Sequence, residues 1–215
     1  MHAVSAHRRT GFGEYLLNFI GIMYGVLLGV AITAALHNPM INSVRFLAAV
    51  LLFLLIIEDW YFSSCVISAV GYPESMISFL LHTLTIVSLI LAFTFSIGHF
   101  PELDGPPWIL EPWFWFSLYL ILLLPWNFFV RREPGFKELS ELLEKQQRKQ
   151  YIVFRGVLYM KSVIPFMVGS VVLAGTILFG SPEVFYCLIL ITVYRFPADM
   201  WLVRTGMNLQ VQGRR

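Results

Sequence analysis

The chain has 215 residues, of which 58% are hydrophobic and only 13% charged, with a mean hydropathy of +0.73. That is more apolar surface than one water-soluble core needs, so lipid is the expected solvent for most of it and little room is left for a soluble domain. The formal charge of +2 says little, because membrane proteins place charge by side rather than by total. No nucleic-acid partner is expected, and Cys65 and Cys187, placed on different apolar runs, exclude the disulfide framework of a small secreted domain.

A spanning helix needs about 20 mostly apolar residues, and runs of that kind are predicted at 15–36, 44–67, 76–97, 113–130, 157–179 and 184–203. The expectation is an all-α, polytopic membrane protein: a single transmembrane domain over 1–215, built as a bundle of six helices. The first run follows Arg8 and Arg9 but has the length of a true span and no small-residue cleavage site, so it is read as a helix rather than a signal peptide. It carries Gly21, Gly25 and Gly29 at four-residue spacing. That spacing puts all three on one face, as expected for helix packing or a subunit interface.

The second run, which opens VRFLAAVLLFLLII, reaches two adjacent acids, Glu58 and Asp59. Its fourteen Val, Leu, Ile and Phe residues favour insertion by about 4–8 kcal/mol, against about 5–7 kcal/mol for two acids near the centre. Such a helix barely inserts alone; the acids need protonation, a partner or water. Arg45, at the outer end of this run, is read as an anchor whose charge reaches the interface.

The third run holds His82, and the loop behind it, GHFPELDGPPWILEP, has Glu102, Asp104 and Glu111 but no Lys or Arg. His99 beside Glu102 and Asp104 is weak evidence for a metal, and those groups are read as structural or solvated. The fourth run holds Asn127, with Trp108, Trp113 and Trp115 marking one interface and Trp126 and Trp201 the other. In the loop 131–156, Phe136, Leu139, Leu142 and Leu143 recur at helical spacing between charges. This predicts an amphipathic helix on the cytoplasmic surface between the fourth and fifth spans, facing lipid headgroups or a neighbouring subunit.

The fifth run contains Lys161, read as a second anchor, and then Pro165, Gly169 and Ser170, which predict a bend. The sixth contains Arg195 and Asp199, four apart and so on one face, with Pro197 between them removing a helical amide from Val193. Most Lys and Arg, including those of the 131–149 loop, fall on the side of both termini, which predicts that both ends are cytoplasmic.

Counted at about 1.5 Å per residue, Glu58, His82, Asn127, Arg195 and Asp199 come to nearly the same depth, with Asn18 slightly deeper. Glu58, Asp59 and Asp199 against Arg195 make three negative charges to one positive, an imbalance that low dielectric does not sustain. The expected function is therefore a channel or transporter for protons or small cations, acting through Glu58, Asp59, His82, Asn127, Arg195 and Asp199. Two alternatives stand beside it: a non-transporting subunit of a larger membrane assembly, and, more weakly, an intramembrane enzyme using the acid pair. His-x-x-x-His boxes, a His-Glu-x-x-His helix, a Gly-x-Ser-x-Gly elbow, phosphate loops and a Thr-Val-Gly-Tyr-Gly filter are all absent. No cofactor is expected. The expected partners are the lipid bilayer, protons or small cations, and further copies of the chain or other membrane subunits.

Overall fold

Long apolar stretches leave the backbone no polar partner but itself, and helices are the local solution. The computed structural model describes residues 11–37, 43–70, 75–97, 106–146, 148–179, 194–201 and 204. Among the described residues the chain is helical apart from short turns, with no strand. The elements are α1 (Gly11–His37), α2 (Ser43–Val70), α3 (Met76–Ile97), a 3-10 turn (Pro107–Leu110), α4 (Pro112–Val130), α5 (Pro134–Gln146) and α6 (Arg148–Phe179). Residues 194–201 form a further helical segment.

Three stretches are long and apolar enough to cross a membrane: Met76–Ile97, Pro112–Val130 and Arg155–Gly175. The chain is thus a membrane protein, all-helical among the described residues. The helix that contains the fifth predicted run begins before the run itself, since α6 starts at Arg148, almost directly after α5 ends at Gln146, while its apolar stretch covers Arg155–Gly175. The first half of the sixth predicted run, 184–193, lies outside the described residues, and with it Cys187 and Val193; so do His99, Glu102 and Asp104.

Local sequence explains several boundaries. Ser75 starts α3 by accepting the Phe79 amide at 3.0 Å. Pro112 opens α4 behind an extended Glu111, and Pro134 opens α5; proline suits a first turn, where its missing N–H would have had no partner. Buried hydroxyls on these helices turn back to the carbonyl four residues earlier, as Ser88 does to Leu84 at 2.8 Å, Ser96 to Ala92 at 2.8 Å and Ser117 to Trp113 at 2.7 Å. A serine satisfied in this way costs an apolar interior little.

α3 is the central helix, packed against α1, α2 and α4, while α4 is clasped between α3 and α6. Leu55 of α2, Ile86 and Leu89 of α3, and Phe116, Tyr119 and Leu120 of α4 form the core between them. α4 and α6 approach closely at Gly169. A Cβ built there would lie 2.8 Å from Leu120 Cβ and 2.9 Å from the Ser117 carbonyl oxygen, distances only a glycine tolerates. Pro165 sits one turn earlier and withholds the amide that would otherwise bond the Lys161 carbonyl.

The α1 glycines differ. Nothing described lies within 4 Å of a Cβ placed at Gly21, Gly25 or Gly29, and all three are exposed beside Ile22, Val26 and Val30. The packing within the chain expected of this stripe is not made by the described residues, because α1 turns its Ile20 and Tyr24 side inward instead. Among the described side chains of α5, Phe136 is buried while Lys137, Glu141, Glu144 and Lys145 are exposed.

Candidate functional site

Helical geometry sends Glu58 and Asp59 about 100° apart around α2, so the two acids share Arg195 but otherwise differ in their partners. Asp59 is the better satisfied. Tyr24 of α1 donates its hydroxyl to Asp59 Oδ2 at 2.8 Å, and Tyr119 of α4 donates to Oδ1 at 3.2 Å. Arg195 Nη2 donates to the same Oδ1 at 3.1 Å. Arg195 Nη1 also contacts the Tyr119 hydroxyl directly, and the guanidinium lies 5.4 Å from the centre of that ring.

Arg195 is the hub. Only 1% exposed, it has Nη2 3.6 Å from Glu58 Oε2 and 3.7 Å from Asp199 Oδ2, so one guanidinium reaches all three carboxylates. The Asp199 contact follows from the four-residue spacing on one helical segment. At 3.6 Å the Glu58 contact is an ion pair without a hydrogen bond, and neither carboxylate oxygen of Glu58 has a donor among the described residues. Glu58 is nonetheless buried, with 7% of its surface exposed.

The second base is Lys161 of α6. Its ammonium contacts Asp199 and lies 3.3 Å from the centre of the Phe62 ring, and the side chain is buried. The sequence reading of Lys161 as an interface anchor is corrected here: a buried acid within reach holds the ammonium inside instead of letting it extend to water. Five ionisable groups from three elements thus meet inside the helices, three acids and two bases.

The other residues of the expected polar layer fall differently. His82 is buried on α3, with its ring stacked on Trp126 of α4 at 4.8 Å. Asn127 is half-buried and donates to the Leu123 carbonyl of its own helix at 2.8 Å, spending its amide locally. Asn18 is exposed. Arg45, expected at a helix end, lies 3.7 Å from Glu111 and is partly exposed there.

Tyr24, Tyr119 and Lys161 are the members that sequence reasoning missed. Depth contained a signal for the lysine: Lys161 is four residues inside Val157, and Asp199 four residues inside Val203, at the matching ends of their predicted runs.

One end of the cluster is closed by the α4–α5 turn. Arg131 Nη2 donates to Ser162 Oγ at 3.2 Å, next to Lys161, and Glu133 Oε1 accepts from Ser78 Oγ of α3 at 3.1 Å. Burial and the charge of Arg155 both push the Arg131 guanidinium below its ordinary pKa.

Among the described residues no group of three His, Cys, Asp or Glu side chains is arranged to hold a metal ion. No family model, curated protein or solved structure matches this chain.

Proposed function

We propose that the chain is a multi-pass membrane protein with six spans, both ends cytoplasmic and α5 lying along the membrane surface, and that its buried cluster binds and passes protons or small cations. One observation carries this reading: among the described residues the cluster holds three acids, Glu58, Asp59 and Asp199, against two bases, Lys161 and Arg195. Fully ionised, it has a net charge of −1. A low-dielectric region disfavours one uncompensated charge by several kcal/mol, so the excess acid binds a proton or a cation, and intramembrane acids in excess serve ion handling by default.

A purely structural network is better served by matched charges, because each unmatched group adds desolvation cost without a Coulombic return. Arg195 alone could neutralise Asp59, and Lys161 neutralises Asp199. Glu58 adds nothing to such a lock.

The test is flux into liposomes containing the purified protein, under proton, sodium and potassium gradients in turn, with a folded Glu58→Gln variant in parallel. Flux that the variant loses is the expected result. No flux under any gradient would sink the transport reading and favour a non-transporting subunit, whose cluster only holds the helices together.

A further inference from the structure

We propose that the ion handled by the cluster is a proton, one per chain, and that its carrier is the carboxyl group of Glu58. This deepens the ion-handling reading and rests on it for the role of the site; its test reads the bound proton itself, so the two fail separately.

A hard cation needs several oxygen ligands at once, on the order of six for magnesium and six to eight for calcium. The cluster does not have them to give. Both oxygens of Asp59 already accept hydrogen bonds, from the Tyr24 hydroxyl on one side and from the Tyr119 hydroxyl and Arg195 on the other. Asp199 is in contact with the Lys161 ammonium and has Arg195 Nη2 at 3.7 Å. A metal ion inserted here would displace those donors and sit against two fixed positive charges.

What remains is Glu58: its two oxygens are buried and accept from no donor among the described residues, which is also true of Asp199, but Asp199 already has the Lys161 ammonium against it and Glu58 has no such contact. Two oxygens of one carboxylate make a poor metal site, but a proton needs only one of them. The charges agree with this: binding one proton takes the cluster from −1 to neutral. In the step itself a hydronium ion gives its proton to a Glu58 carboxylate oxygen, an O–H bond forms there, and water remains; release is the reverse, and nothing is oxidised or reduced.

The buried ionisable groups of the surrounding helices bear on this proton. They are Tyr24 on α1, Asp59 on α2, His82 on α3, Tyr119 on α4, Lys161 on α6, and Arg195 with Asp199 on the segment 194–201. Arg195 is the group placed to govern release. Its Nη2 stands 3.1 Å from Asp59 Oδ1 and 3.6 Å from Glu58 Oε2, so a small movement of the guanidinium toward Glu58 exchanges a hydrogen bond with one acid for a hydrogen bond with the other. Such a movement stabilises the Glu58 carboxylate and expels its proton.

The experiment is infrared difference spectroscopy of the full chain in lipid nanodiscs, reading the carbonyl stretch of a protonated carboxylic acid and its shift in heavy water. The expected result is one such band, lost in Glu58→Gln and unchanged when sodium, potassium, magnesium or calcium replaces a bulky organic cation in the buffer. A wild-type protein with no band, a band that survives Glu58→Gln, or a band removed by any of those metal ions would overturn the proposal. Should Glu58→Gln fail to fold, the wild type alone decides. A hydrophobic carbodiimide, which reacts with protonated carboxyls, should label Glu58 in peptide mass maps, and labelling elsewhere only would count against it. A Glu58 band without flux leaves this inference standing and removes the transport reading; flux without a band does the opposite.

Discussion

At the scale of single residues, the Tyr119 hydroxyl bridges two opposite charges: it sits between a guanidinium and a carboxylate, touching Arg195 and donating to Asp59. Among the described residues the Tyr24 hydroxyl makes one hydrogen bond, to Asp59. A hydrogen bond between membrane helices is worth about 0.6 kcal/mol on average, up to about 1.7, whereas stripping a shared partner from two buried charged groups costs about 1–3 kcal/mol. Tyr119→Phe should therefore destabilise the protein more than Tyr24→Phe, as measured by unfolding in bicelles, and the reverse order would contradict the bridging role. Sequence showed neither tyrosine. Depth counting brought Glu58, Asp59, Arg195 and Asp199 to one layer because charge is rare in apolar runs and each one stands out. A tyrosine in such a run looks like any other aromatic, and whether its hydroxyl finds an acid depends on helix rotation that depth does not specify. Lys161 was misread for a related reason: near a helix end, the pattern of an anchor and the pattern of a buried partner are the same.

At the scale of elements, the α4–α6 contact depends on Gly169 having no side chain. A methyl group there meets Leu120 Cβ and the Ser117 carbonyl oxygen, neither of which is the free end of a flexible chain. Gly169→Ala should cost about 1–3 kcal/mol through overpacking, while Gly25→Ala, which meets nothing described, should stay within about 0.5 kcal/mol. Paired unfolding measurements of the two variants check this directly, and equal costs would refute the close approach. Periodicity alone does not locate a helix contact. The stripe Gly21, Gly25 and Gly29 was legible as a face, but nothing in a single sequence says which face meets a neighbour. Gly169, with no spaced companion and only Pro165 and Ser170 nearby, is where the helices touch. The limits of one element were more legible: α3 follows the predicted 76–97, and the prolines at 112 and 134, not predicted as helix starts, open α4 and α5. Those signals are local, and local backbone chemistry sets them.

For the whole molecule, the outward surface is apolar along α1, α2, α3 and α6, with Val26, Leu54, Leu84 and Val171 all exposed. Apolar area on that scale is covered by lipid or by protein. Single cysteines at Val26, Leu84 and Val171, in a background without Cys65 and Cys187, should resist a charged thiol reagent in intact membranes, while cysteines at Lys137 and Glu144 on α5 should react. Rapid labelling of the first set would place those helices in water. The arrangement also has a consequence in time. Tyr119 follows Asp59 by 60 residues and Arg195 follows it by 136. At a synthesis rate of about 5–20 residues per second, the acid waits about 3–12 s for its tyrosine and about 7–27 s for its arginine. Throughout that interval the Arg195 guanidinium that reaches both acids in the folded chain has not yet been made. The segment 194–201, whose Arg195 is made 136 residues after Asp59, is therefore the one that completes the assembly of the second helix.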